Sequence, residues 1–78
     1  MEGLFANLIN TRITRERYVD TIIYETYESN CETIGQLVDF LELEYPAKED
    51  REWWKVYVNN ITQDGNKFIV EKVSPYTG

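Results

Sequence analysis

RYVDTIIYETY, residues 17–27, is the stretch whose reading decides the fold of this chain. Eight of its eleven residues (Tyr18, Val19, Thr21, Ile22, Ile23, Tyr24, Thr26, Tyr27) are β-branched or aromatic. Such side chains fit a pleated surface and lose rotamer freedom in a helix. The strand reading is therefore preferred, and it sets strand, helix and hairpin in that order along the chain. A helical alternative stays open, because Val19, Ile22, Ile23 and Tyr27 also share one helical face. Ile13 and Thr14 would then supply a hydrophobic staple and an N-cap reaching Tyr18.

Immediately downstream, SNCETIGQLVDFLELEY (residues 29–45) places Ile34, Leu37, Val38 and Leu41 at i, i+3, i+4 and i+7, one apolar face of an α-helix. Ser29 and Glu32 match the S-x-x-E capping box, which predicts the start. Pro46 disfavours helical geometry at Tyr45, so the helix is expected to stop near Glu44. Its outward face carries Glu32, Asp39 and Glu42.

Farther on, WWKVYVNNIT and KFIVEKV flank QDGN, and an Asp-Gly pair between β-rich runs is a strong hairpin signal. With Asp64 and Gly65 as loop residues, Ile61 lies opposite Phe68, Asn59 opposite Val70 and Tyr57 opposite Lys72. One face then carries Trp53, Tyr57, Ile61, Phe68 and Val70, and the other Val56, Val58, Ile69 and Val73. A loop longer by one residue exchanges the faces, so which of them is buried stays open. Upstream, Leu4, Phe5, Leu8 and Ile9 recur at helical spacing, which predicts a short N-terminal helix lying on the core. AKEDRE (residues 47–52) reads as a solvated connector and SPYTG (residues 74–78) as a frayed tail. The expected fold is α+β: one small domain over residues 1–78, strand-helix-β-hairpin (βαββ-like), with a short N-terminal helix.

Composition narrows function. A chain of 78 residues is near the lower limit at which one core offsets chain entropy. Its 42% apolar content argues against disorder despite a net charge of -6. Asp39 and Glu42 interrupt the best apolar run, so no bilayer span is expected, and the N-terminus lacks a signal-peptide pattern. The expected compartment is the cytosol. The chain has no histidine, which excludes His-based nucleophile pairs and His-ligated metal sites. Cys31 stands alone beside an apolar helix face and reads as a small buried hydrophobe. No spacing singles out a carboxylate pair for acid–base work among fourteen acids. Asp64-Gly65-Asn66 lacks the further ligands of a calcium loop. No enzyme activity, cofactor or metal is expected.

Charge is distributed unevenly. Residues 1–17 and 53–78 each carry +1, whereas residues 18–52 hold ten acids against two bases, and residues 18–47 hold seven acids and no base. Helices of soluble proteins ordinarily mix both signs, since i to i+4 pairs stabilise and like charges destabilise. A solvated acidic face that keeps the chain soluble accounts for the excess without a partner. A sharper reading is that carboxylates on a rigid scaffold imitate the phosphate row of DNA, about one charge per 1.7 Å of duplex axis. Asp20, Glu25, Glu28, Glu32, Asp39 and Glu42 are the residues expected to form that partner-binding surface. Direct nucleic-acid binding is disfavoured, because an acidic face repels phosphate and the bases form no stripe.

In size, acidity, absence of histidine and richness in tyrosine, the chain resembles the small acidic proteins that bacteriophages encode early in infection to disable host machinery, DNA mimics among them. The resemblance implies a stoichiometric inhibitor, commonly dimeric, acting on a histone-like nucleoid protein, a nuclease or RNA polymerase. The expectation is a non-enzymatic protein that competes with DNA for a basic DNA-binding protein and forms a homodimer through an apolar hairpin face left exposed. The alternative is a small structural or adaptor protein that docks through the aromatic face of its C-terminal hairpin.

Overall fold

The computed structural model describes residues 3–47, 50 and 52–76. Lys48, Glu49 and Arg51 of the expected connector, and Thr77 and Gly78 of the expected tail, lie outside the described residues. Four strands and one helix follow in the order β1 (Ala6–Thr14), β2 (Thr21–Ser29), α1 (Ile34–Leu41), β3 (Tyr57–Asp64) and β4 (Lys67–Ser74). The strands form one antiparallel sheet in the order β1-β2-β4-β3. β2 and β3 therefore run in the same direction with β4 between them, and α1 lies on the crossover. This corrects the expected class: the fold is mostly β, with one eight-residue helix, rather than α+β with an N-terminal helix.

The expected N-terminal helix is the edge strand β1. Paired residues of antiparallel strands project to the same face, so Leu8 opposite Tyr27 and Ile13 opposite Ile23 lie on one side of the sheet. Between them the register shifts at Leu8/Asn10, a bulge that inserts one extra residue. The bulge makes the step along that face three residues, from Leu8 to Thr11. The helical appearance comes instead from Leu4, Phe5, Leu8 and Ile9, two adjacent apolar pairs four residues apart whose side chains are all about half exposed and so show no alternation of two. Residues 17–27 are a strand only from Thr21 onward. Tyr18 adopts a φ of 67° in the connection from β1, with its ring edge-on to Tyr76 at 6.1 Å.

The helix is shorter than its sequence pattern. Ser29 does not cap it: Ser29 N–H donates to the Asn66 carbonyl at 2.8 Å, extending β2 by its last residue. The same chemistry operates one turn later, where Thr33 Oγ1 accepts from Gln36 N–H at 3.0 Å and Gln36 Oε1 accepts from Glu32 N–H at 2.6 Å. At the far end Glu42 takes a left-handed conformation with φ 55° and closes the last turn onto the Asp39 and Val38 carbonyls. The helix thus ends at Leu41 rather than near Glu44.

The hairpin turns on Gly65 and Asn66, with Asp64 opposite Lys67. Gly65 holds φ 62°, and glycine at the first position of a two-residue loop is what a type II′ turn favours. Ile61 therefore pairs with Val70 and Gln63 with Phe68, two residues away from the expected register. A second bulge between Val58 and Asn60 puts Val58 and Ile61 on one face despite their odd separation. That face is the covered one. Leu37 from α1 joins Cys31, Val58, Ile61, Phe68 and Val70 in the buried core, with Ala6, Tyr27, Ile34, Val38, Leu41, Leu43 and Tyr45 packed around it. The hairpin face with Ile61, Phe68 and Val70 is thus buried under the helix rather than open to a partner.

Ser29 is the polar anchor of this core. At 1% exposure, its hydroxyl donates to the Phe5 carbonyl at 2.7 Å and accepts from Cys31 N–H at 3.0 Å, tying the start of β1 to the turn into α1. Ser29→Ala leaves both backbone groups without that partner, and the expected cost is about 1–3 kcal/mol. A lowered urea midpoint checks it, and a midpoint equal to the parent's would mean that water replaces the hydroxyl at no cost.

Candidate partner-binding site

The six acids expected to form one surface are spread over the molecule. Asp20 lies at the start of β2, where its carboxylate accepts from Tyr76 N–H at 2.7 Å. Glu28 is eight residues along the strand, about 26 Å away. Glu25 pairs with Val70 and so lies on the helix-covered face, whereas Glu28 pairs with Lys67 and lies on the opposite one. Glu25 is also engaged: its carboxylate meets Lys72 Nζ at 2.6 Å, diagonally across the strands, and accepts from the Tyr27 hydroxyl at 3.2 Å. With 17% of its side chain exposed, this carboxylate is an internal partner of the sheet.

Burial first, and then the Glu25 charge and hydrogen bond, raise the Tyr27 pKa above the ordinary tyrosine value of 10.0. A group that holds its proton more tightly when folded contributes stability that is complete below its unfolded pKa and is lost as pH climbs through and above it. The expected result is a loss of stability above about pH 10 that is smaller in Tyr27→Phe. Urea midpoints of the two proteins on either side of that pH check it, and parallel pH profiles would contradict it.

The remaining three acids lie along α1: Glu32 before its N-cap, Asp39 on its exposed side and Glu42 at its C-cap. Glu42 opens onto a groove of about 510 Å³ between the end of α1 and the start of β3. Glu44, Asp50 and Glu52 line the same groove, above a floor that includes Val56, Tyr57 and Val58. Its two bases are committed, Lys55 to Glu52 at 3.2 Å and Lys72 to Glu25. No basic residue occupies the last turn of α1, so Asp39 and Glu42 face the negative end of the helix dipole. Beside the groove, Trp53 and Trp54 are 64% and 53% exposed and stand edge-to-face at 5.6 Å.

Sequence reasoning therefore named one groove residue, Glu42, with Asp39 and Glu32 along the same helix. It missed Glu44, Asp50 and Glu52, counted among the ten acids of residues 18–52, with Glu44 read as the end of the helix and Asp50 and Glu52 left in a solvated connector. The available signal was Trp53 and Trp54: two adjacent indoles directly after an acidic connector are costly to expose unless something covers them. Among the described residues, no group of three or more His, Cys, Asp or Glu side chains is placed to hold a metal ion. No helix of the described residues is long and apolar enough to cross a membrane. Comparison with known proteins finds no family model, no curated protein and no solved structure that matches this chain.

Proposed function

We propose that the protein is a non-enzymatic acidic binding protein of the cytosol that occupies the DNA-binding surface of a basic partner, such as a histone-like nucleoid protein, and competes with DNA there. The observation that carries this reading is the groove at the end of α1, where Glu42, Glu44 and Asp50 gather with the Glu52–Lys55 ion pair beside exposed Trp53 and Trp54. Lys and Arg side chains that bind phosphate find two attractions in such a place: carboxylates to pair with and indole faces to stack on. Asp39 and Glu42 are placed against the helix dipole, an arrangement that costs about 0.3–1 kcal/mol per charge and that a cationic partner would reverse in sign. The site is smaller than the six-residue surface expected from sequence, and it draws on the helix end and the connector instead of β2.

Association of the purified protein with a histone-like nucleoid protein, followed over a series of salt concentrations, tests the proposal. Complementary charge steers encounter and is screened over about 8 Å at physiological ionic strength. The expected result is fast association at low salt that slows steeply as salt rises. Absence of binding at low salt would overturn the choice of partner.

A second reading is favoured by the tryptophans alone. Here the protein is a small adaptor that docks through Trp53 and Trp54, and its acids only keep it soluble. Binding to a partner that survives high salt but is lost in Trp53→Ala/Trp54→Ala would select this reading.

A further inference from the structure

The edge of the sheet formed by β1 carries a row of exposed apolar side chains. Leu4, Phe5, Leu8, Ile9 and Ile13, on or just before this strand, are each 41–50% exposed. Among the described residues no strand pairs with the outer side of β1, so its alternate N–H and C=O groups form an open row about 30 Å long. Natural sheets blunt such edges with Pro, Lys, inward charges or bulges. ANLINTRIT has the bulge at Ile9 but no Pro, Lys or inward charge, and its one charge, Arg12, is held over the Tyr24 ring at 4.9 Å. The opposite edge is better guarded: α1 packs against β3, and Gln63 of β3 donates to the Glu32 carbonyl at 3.0 Å.

We propose that β1 pairs antiparallel with β1 of a second copy across a two-fold axis, joining two four-stranded sheets into one of eight strands. Charge selects the second copy as the occupant. Two chains of net charge -6 repel over most of their surfaces, but residues 3–14 contain no acid and one base, so here alone a long element of one copy can approach its counterpart without opposing carboxylates. A two-fold axis makes the contact isologous, so each open edge satisfies the other. Leu8 and Ile13, on the helix-covered side of the sheet, would meet Ile13 and Leu8 of the second copy beyond the reach of α1 and extend a core that has few fully buried side chains. Because the acidic groove borders β3 at the far edge of the sheet, the dimer leaves both grooves open. The inference does not rest on what the groove binds.

Sedimentation equilibrium at tens of micromolar, on the parent and on an Ile9→Lys/Ile13→Lys variant, is the test. The expected result is a dimeric parent and a monomeric variant with an unchanged circular dichroism spectrum, since both side chains are about half exposed. Hydrogen exchange of the parent over a dilution series keeps the test decisive if the variant does not fold, because protection in residues 3–14 should fall on dilution while that in β4 stays constant. A monomeric parent, a dimer that persists in the lysine variant, or dilution-sensitive protection confined to β3 or the open sheet face would overturn the proposal. So would a monomer whose β1 gains protection only when a histone-like protein is added.

Discussion

Phe68→Ala is expected to destabilise the protein by about 3–5 kcal/mol, the largest single-residue effect in the molecule. Phe68 is fully buried at the centre of the covered face, between Tyr27 of β2 and Gln63 of β3 and beneath Leu37, which is fully buried as well. Truncating the ring forfeits its transfer free energy and leaves a cavity that a sheet bonded on both sides of β4 cannot collapse to fill. A domain of this length is stable by roughly 4–12 kcal/mol, so the loss is a large share of the whole. Leu37→Ala removes the helix's contribution to the same core and should cost about 2–5 kcal/mol. Leu8→Ala is the control, read at a protein concentration low enough to populate the monomer. Under the sequence expectation of an N-terminal helix lying on the core it would be costly, but at 50% exposure on an edge strand it should change the monomer's stability by under about 0.5 kcal/mol. Urea denaturation midpoints give all three, and equal midpoints for Phe68→Ala and Leu8→Ala would contradict the assigned core.

The charge-reversal pair Asp39→Lys/Glu42→Lys is expected to move stability and binding in opposite directions. Both residues sit in or just after the last turn of α1, where the unsatisfied carbonyls leave partial negative charge and where no base is present. Lysines there should stabilise the helix by about 0.3–1 kcal/mol each. Glu42 caps through its backbone N–H, so the left-handed cap asks of lysine only what it already asks of glutamate. Association with a histone-like nucleoid protein at low salt should nevertheless slow by at least about tenfold, since two charges reverse sign beside the groove, a net change of four units. A double variant that is more stable and binds as fast as the parent would mean that the acids only solubilise, and Trp53 and Trp54 would become the site. This pairing of readouts separates a binding defect from misfolding without a further control.

The helix and the strand character of residues 21–29 were legible in the sequence because each follows one pattern without interruption, and the hairpin because Asp64-Gly65 marks its turn between β-rich runs. Ile34, Leu37, Val38 and Leu41 keep a helical face, and TIIYETY is rich in the residues that sheets favour. Which faces are covered was not legible because of two inserted residues. The bulge beside Ile9 moves the covered face of β1 from Leu8 to Thr11, and the one beside Asn59 moves that of β3 from Val58 to Ile61. An alternation of two that skips one residue exchanges the faces beyond it, as it does in β3. In β1, by contrast, the apolar pairs Leu4-Phe5 and Leu8-Ile9 imitate a helix because both faces of this exposed edge carry apolar side chains. Ser29 misled differently. Its S-x-x-E pattern with Glu32 is a sound capping signature, but the ladder bond to Asn66 and the buried contacts to Phe5 and Cys31 claim it for the sheet, and Thr33 with Gln36 offers the same cap one turn later.

The candidate site was legible as an excess of acid and not as a place. Charge along the chain does not reveal that Glu25 and Glu28 fall on opposite faces of a strand, or that Glu25 is neutralised by a lysine 47 positions away in sequence. Nor does it reveal that Asp50 and Glu52 fold back toward the end of α1.

The most direct test of the account is displacement. A short labelled duplex is held by a histone-like nucleoid protein at low salt, and the acidic protein is titrated in while fluorescence anisotropy is followed. The account predicts release of the duplex to its free anisotropy in a stoichiometric titration, with release requiring far more of the Asp39→Lys/Glu42→Lys protein. A stable ternary complex, in which the acidic protein binds while the duplex stays held, would contradict it.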